Sequence, residues 1–422
     1  MHHFQYRGDE LYCESVPVRQ IAAQVGTPCY VYSSETLRHH FTVFDGAFQS
    51  MAHVTCYSVK ANANLAILKL FATLGGGADI VSGGELFRAR QAGIPADGIV
   101  YSGVGKTNAE IDYALRENIL MFNIESAQEL EVINHRAARS GAKAKIALRV
   151  NPDVDPKTHP YISTGLKKNK FGIDIEQSLE SYERAKALDH IEVLGVDCHI
   201  GSQLTEIEPF VEALRRLKLL INRLQEIGIA VRYLDLGGGL GISYRDEAPP
   251  HPREYAEAIV RELGNLPCTL VLEPGRVIVG NAGILITQVL YTKKTENKEF
   301  VIVDAAMNDL IRPSLYGSYH DIQPIKKLDR VTHTVDVVGP ICESSDFLAR
   351  DRILPVTESG EILAVMSAGA YGFSMASNYN SRNRPAEVMV KGERFYVTRQ
   401  RESWEDLVRG ESLPDFLQGA VQ

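Results

Sequence analysis

Val54-Thr55-Cys56-Tyr57-Ser58-Val59-Lys60-Ala61-Asn62 reads as a short, β-branched and aromatic strand that empties into a lysine set between small or apolar neighbours. Working outward, the same pattern recurs at residues 78–81, 98–102, 120–125, 145–150, 193–199, 232–236 and 269–273, with amphipathic helical stretches between the runs. One of these, residues 210–227, carries Val211, Leu214, Leu217, Leu220, Ile221 and Leu224 on one face. Eight strands alternating with helices predict a closed TIM-like (β/α)8 barrel rather than an open doubly wound sheet. Lys60, Asp79, Arg149, His199, the glycines 237–239 and Glu273 all fall at or just after the C-terminal ends of these strands. In a barrel those ends share one rim, where active sites form.

The chain has 422 residues, more than the ~250 a barrel needs, so a second domain is expected. Past residue 284 helical periodicity gives way to strand-like runs at 286–292, 299–304, 331–338, 362–366, 386–390 and 394–399, which predict a mainly antiparallel β domain. The expected division is an N-terminal segment, 1–35, contributing to the β domain, a barrel over 36–283, and the β domain over 284–422. The strand-like Cys29-Tyr30-Val31-Tyr32 either joins the second domain or bridges the two.

Hydrophobic residues at 45% supply a core, and a net charge of −8 with interspersed signs excludes a basic surface for nucleic acid or anionic membrane. No apolar run reaches the ~18–20 residues of a membrane span, and the first residues lack the pattern of a signal peptide, so a cytoplasmic protein is expected. Six cysteines without a CxxC pair indicate neither a metal site nor a disulfide framework.

Several motifs carry chemistry. A lysine leaving water loses hydration, so Lys60 is expected to have a lowered pKa and to serve as a Schiff-base nucleophile toward an aldehyde; pyridoxal 5'-phosphate is the aldehyde that fits. The run Leu234-Asp235-Leu236-Gly237-Gly238-Gly239-Leu240-Gly241 is either a tight turn or a phosphate cradle, and its place on the same rim as Lys60 favours the cradle. Glu273, in Glu-Pro-Gly-Arg, places a carboxylate where it would keep a pyridine nitrogen protonated. His199, in His-Ile-Gly-Ser-Gln, is placed to stack on a cofactor ring while Ser202 reaches its phosphate. Asp79 and Arg149 are candidates for a buried ion pair bracing that histidine or the cofactor. The stretch from His159 to Gly172 is long, polar and glycine-punctuated, as a lid would be.

Taken together, YSVKAN, HIGSQ, LGGGLG, EPGR, Arg312-Pro-Ser-Leu-Tyr316-Gly, Gly339-Pro-Ile-Cys342-Glu343-Ser-Ser-Asp346 and Ala368-Gly-Ala-Tyr371-Gly resemble the diaminopimelate decarboxylases. These are fold-type III pyridoxal-phosphate enzymes related to alanine racemase and ornithine decarboxylase. The resemblance spans nearly the whole chain and implies a carboxy-lyase that releases carbon dioxide from meso-diaminopimelate and leaves L-lysine. It implies that Lys60 holds the cofactor, that His199 stacks on it and that Glu273 faces its ring nitrogen. Ser202, Gly238, Gly275, Arg276 and Tyr371 would hold the phosphate. Arg276, Arg312, Tyr316, Glu343 and Tyr371 would bind substrate, with Cys342 and Glu343 supplied across a homodimer interface. Arginines suit the distal carboxylate, Glu343 the distal ammonium, and a thiol of ordinary pKa about 8.5 suits proton delivery to carbon. A decarboxylase of ornithine, arginine or a D-diamino acid is the alternative, but it has no distal carboxylate for Arg312. A non-catalytic relative would be expected to have lost Lys60, Cys342 or the glycines.

Overall fold

The structure is a computed structural model that describes residues 2–155, 170–327 and 329–418. The chain opens with a small antiparallel sheet, β1 (Phe4–Arg7), β2 (Glu10–Cys13) and β3 (Val16–Pro17), followed by β4 (Cys29–Ser33), all five residues of which are buried. The barrel strands come next: β5 (His53–Ser58), β6 (Gly77–Ile80), β7 (Ile99–Tyr101), β8 (Met121–Ile124) and β9 (Ala144–Asn151), then a two-residue strand, β10 (Ile173–Asp174), paired to the end of β9. β11 (Ile191–Asp197), β12 (Tyr233–Asp235) and β13 (Thr269–Leu272) complete the set. Each pairs in parallel with its neighbour, β13 returns to β5 and β8 joins β9, so eight strands close into a ring. All eight predicted strands are present.

The helices between strands pack outside the ring through one apolar face. Glu208–Glu226 buries Phe210, Val211, Leu214, Leu217, Leu220, Ile221 and Leu224, as the spacing predicts. Ser82, Thr107 and Ser126, each the residue before a helix that follows a barrel strand, accept a backbone N–H three residues on and so terminate the strand-to-helix loops in a fixed geometry.

The second domain is a sheet of β14 (Gly283–Lys294), β15 (Glu299–Val303), β16 (Ile322–Pro324), β17 (Thr332–Val338), β18 (Phe347–Pro355), β19 (Ile362–Val365), β20 (Ala386–Lys391) and β21 (Arg394–Arg399). It is mainly antiparallel, with parallel pairing of β15 to β17 and of β4 to β20. β4 lies between β14 and β20, so the N-terminal strand is an integral part of this sheet. β16 and β18 were not among the predicted strands. β16 is only three residues, and β18 alternates through Arg350, Asp351 and Arg352, which disguises its apolar face. Among the described residues no helix is long and apolar enough to cross a membrane.

Candidate active site

Strand β5 ends at Ser58 and passes into a single 3-10 turn, Val59–Ala61, that carries Lys60. In the parallel pairing of β5 with β6, Ser58 lies opposite Asp79. Lys60 Nζ consequently donates to Asp79 Oδ2 at 2.8 Å, with the lysine side chain 34% exposed and the aspartate fully buried. Ser58 Oγ lies 2.8 Å from the same oxygen and 2.9 Å from the Glu273 carbonyl oxygen, so its one proton serves either. Burial pulls the Lys60 ammonium down, but Asp79, Glu273 and Tyr371 outweigh it and hold the group above the usual lysine range. The expectation of a lowered pKa is therefore corrected: the dehydrating site also supplies an anionic partner.

The ionic partner expected for Asp79 is corrected as well. Arg149 stands on β9, between β8 and β11 and away from β6, so it pairs with Glu125 at 2.7 Å and approaches Asp197 at 4.0 Å. Phe171 packs over its guanidinium at 4.8 Å, and the Gly172 N–H donates to Glu125. Of the stretch expected to act as a lid, residues 159–169 lie outside the described residues.

Behind Lys60 the barrel holds a pit of acids. Asp197 and Asp235 are in register on β11 and β12, and Glu273, two residues beyond Val271 and on its face of β13, joins them; the three carboxylates have oxygens within 4.8 Å of one another. Burial raises all three. Asp235 rises to about 7 even though the Gly237 N–H and Asn123 amide donate to it, while Asp197 and Glu273 rise well above the usual carboxylate range because each also feels its acidic neighbours. His199 follows β11; burial, then Arg149 and Lys60, push its imidazole well below the usual value, so it is neutral. Its Nδ1 accepts the Gly238 N–H at 3.2 Å. Gly238 is required by close approach, since a Cβ there would lie 2.1 Å from the Glu273 carbonyl oxygen, and Gly237 has φ +63°.

A corner of arginines and aromatics adjoins the pit. Arg276 Nη1 donates to the Tyr244 hydroxyl at 2.7 Å and Nη2 to Ser202 Oγ at 3.1 Å, and its guanidinium lies 4.9 Å from the Tyr371 ring. Tyr371, at φ +54°, is tied to the lysine turn by its N–H, which donates to the Ala61 carbonyl at 2.8 Å. Arg312 begins the helix Arg312–Tyr316, which places Tyr316 one turn along the same face, and its guanidinium lies 4.7 Å from the Tyr244 ring. Gly275 packs against the lysine turn, where an added Cβ would lie 3.1 Å from Ser58 Cβ and 3.2 Å from Ala61 Cβ. Tyr371 is bonded to the same turn, Arg276 and Ser202 follow from Tyr371, and Gly238 sits against Glu273. Arg276 Nε is buried without a partner among the described residues, as a donor awaiting an anion would be. These features fit a phosphate-bearing aldehyde.

Cys342 and Glu343 lie elsewhere, in the loop between β17 and β18, and both are exposed. The Cys342 N–H donates to Asn380 Oδ1 at 2.9 Å. Glu343 accepts from Ser345 and, at 2.7 Å, from the Tyr379 hydroxyl, which hold it below the usual carboxylate range. Each of these partners belongs to the β domain.

Residues 34–280 match the family described as pyridoxal-dependent decarboxylase, pyridoxal binding domain. The diaminopimelate decarboxylase of Pseudomonas aeruginosa is 54% identical over 97% of this chain and 99% of its own length, and that of Haemophilus influenzae is 51% identical over 96% and 98%. The chain belongs to the diaminopimelate decarboxylase family. Members of this family with solved structures superpose closely. The Helicobacter pylori enzyme, complexed with L-lysine, has a TM-score of 0.90 at 46% identity, covering 93% of this chain and 98% of that one. The M. jannaschii enzyme, in co-complex with L-lysine, reaches 0.94 at 40% identity, covering 99% and 100%.

Sequence reasoning overlooked Ser58, Glu125, Asp197, Asp235, Tyr244 and His320. A charged residue inside an otherwise apolar barrel strand, as in Val196-Asp197-Cys198 and Leu234-Asp235-Leu236, was a usable signal. Tyr244 and His320 carry none, because only tertiary packing brings them to the arginines.

Asp79→Asn leaves burial acting on Lys60 without its principal opposing charge. Reductive methylation of the apoprotein by formaldehyde and cyanoborohydride, followed at the Lys60 peptide, should show a pH midpoint lower by at least about one unit; an unmoved midpoint contradicts the assigned pairing. Asp235 is an acid raised from 3.8 to about 7 on folding. The folded state therefore binds the extra proton, and its stability falls as pH rises from about 4 to about 7 and stays reduced above. Urea midpoints of the apoprotein at pH 5 and pH 8 should accordingly differ less in Asp235→Asn than in the wild type. Equal differences would remove Asp235 from this linkage.

Proposed function

We propose that the chain is a pyridoxal-phosphate-dependent carboxy-lyase that converts meso-2,6-diaminopimelate to L-lysine and carbon dioxide, the last step of lysine biosynthesis. The observation that carries this reading is the paired Arg276–Arg312 corner joined through Tyr371 to the Lys60 turn, which provides for an anionic group remote from the reacting amine. The names borne by relatives matching almost the full length of the chain support the same substrate.

Pyridoxal phosphate, when bound, supplies an electron sink for the pair left behind as the carboxylate departs. Lys60 Nζ is the nucleophile for its aldehyde. It must first release a proton, and Asp79 Oδ2, at 2.8 Å, is positioned to receive it. Ser202, the Gly238 backbone, Gly275, Arg276 and Tyr371 would hold the phosphate. His199, neutral and anchored through Nδ1, presents an uncharged face to the ring. Glu273 would pair with the ring nitrogen, and a proton held there would relieve the repulsion among Glu273, Asp235 and Asp197. Asp79 sets the charge on Lys60, and Arg149, held by Glu125, offsets the acids behind the ring.

Arg312, Arg276 and Tyr316 bind the distal carboxylate. Cys342 and Glu343 reach the site from the second subunit of a homodimer, where Glu343 takes the distal ammonium and the Cys342 thiol delivers the proton that replaces carbon dioxide. Their exposure, on a loop of the β domain, supports service to a neighbour. A cytoplasmic location is part of this proposal.

Lys60→Ala and Cys342→Ala should each abolish most turnover, with cofactor colour retained in the cysteine variant. Dissociated, mixed and reassociated, the two should recover up to about a quarter of wild-type activity, because half of random dimers carry one intact shared site. Absence of recovery would contradict the cross-subunit role.

A further inference from the structure

Arg276 and Arg312 are like charges crowded against one ring, their guanidinium carbons 5.8 and 4.7 Å from the centre of Tyr244. Something must hold Arg312 against that repulsion and against burial, which together pull its affinity for a proton down. The structure supplies His320. Arg312 Nη1 donates to His320 Nε2 at 2.8 Å, and His320 Nδ1 lies 2.9 Å from the Met366 carbonyl oxygen. A carbonyl oxygen only accepts, so Nδ1 carries the proton and Nε2 offers its lone pair to the arginine. An imidazolium would set two donors face to face. His320 has no exposed surface, and burial followed by the Arg312 charge lowers it to about 3. Its ring meets Tyr244 edge-on at 5.3 Å. The anchors are rigid: His320 precedes β16 and Met366 follows β19, two strands in direct register at Ile322 and Val365.

We infer that His320 and Tyr244 form a positioning brace that aims Arg312 at the distal carboxylate and so sets preference for substrates bearing that group. This rests on the substrate reading above. The sheet fixes the imidazole, the imidazole fixes the rotation of the guanidinium through one directed hydrogen bond, and the tyrosine face supports the charge from below.

L-lysine and cadaverine differ by one carboxylate, so their difference in affinity reports on the groups that bind it, Arg312 among them. Their binding to the pyridoxal-phosphate-loaded protein is to be measured by calorimetry in the wild type, His320→Asn, His320→Gln and Tyr244→Leu. Asparagine keeps a polar group near Nδ1 and loses the acceptor at Nε2; glutamine reaches the Nε2 position. L-lysine affinity should fall on the order of tenfold in His320→Asn and Tyr244→Leu, cadaverine affinity should change less than about twofold, and His320→Gln should recover most of the loss. Tyr244→Leu carries the test if His320→Asn fails to fold. Parallel weakening of both ligands, or of neither, overturns the inference. A wild type that neither prefers L-lysine to cadaverine nor turns over meso-diaminopimelate overturns the substrate reading itself, and the inference with it.

Discussion

Five buried carboxyl groups, Asp79, Glu125, Asp197, Asp235 and Glu273, share the C-terminal end of the barrel with Lys60 and Arg149. Acids in a dry interior repel one another and lose hydration, so the arrangement is tolerable only with protons or cations among them. Closure of the barrel imposes the proximity: parallel register sets Asp79 beside the lysine strand and Asp197 beside Asp235. The excess of acid keeps the resting lysine charged and, in the proposed reaction, suits the pit to a protonated heterocycle. Charge at Lys60 and proton affinity at Glu273 are thus two consequences of one crowded environment.

In the proposed reaction the two domains divide the chemistry. The barrel supplies the lysine, the acids, the neutral histidine and the glycine loop, while the β domain supplies Arg312, Tyr316, Tyr371 and the acceptor lone pair of His320. Two contacts align them. The Tyr371 N–H donates to the Ala61 carbonyl, and the Asn62 amide donates to the Gly369 carbonyl at 3.0 Å, so the turn that carries Lys60 is fastened on its far side to the second domain. Gly369 also packs directly against the end of the barrel, since a Cβ there would meet the Val279 carbonyl oxygen at 1.9 Å. The relative position of Lys60 and the arginine corner is therefore fixed by one backbone hydrogen bond and one from the buried Asn62 side chain to the backbone.

The barrel was legible because its strands are short, apolar and regularly spaced, and the polar residues at their ends stand out against that background. Position along a strand end is a local property. Pairing is not, which is why Asp79 was matched with Arg149: strand adjacency in the ring puts Lys60 within reach of Asp79 and Glu125 within reach of Arg149. The direction of the Lys60 shift failed for the same reason, since desolvation can be argued from neighbours in sequence while the opposing carboxylate comes from another strand. His320, eight residues past Arg312, resembles any histidine before a short strand until the Met366 carbonyl is seen beside it.

The most direct test of the account is carbon dioxide release and amine product from the pyridoxal-phosphate-loaded protein offered meso-diaminopimelate beside ornithine, arginine and D-lysine. The account predicts selective turnover of meso-diaminopimelate with L-lysine as product, because only that substrate presents a carboxylate to the Arg276–Arg312 corner while a second one departs. Comparable or preferential turnover of a substrate lacking the distal carboxylate would contradict it.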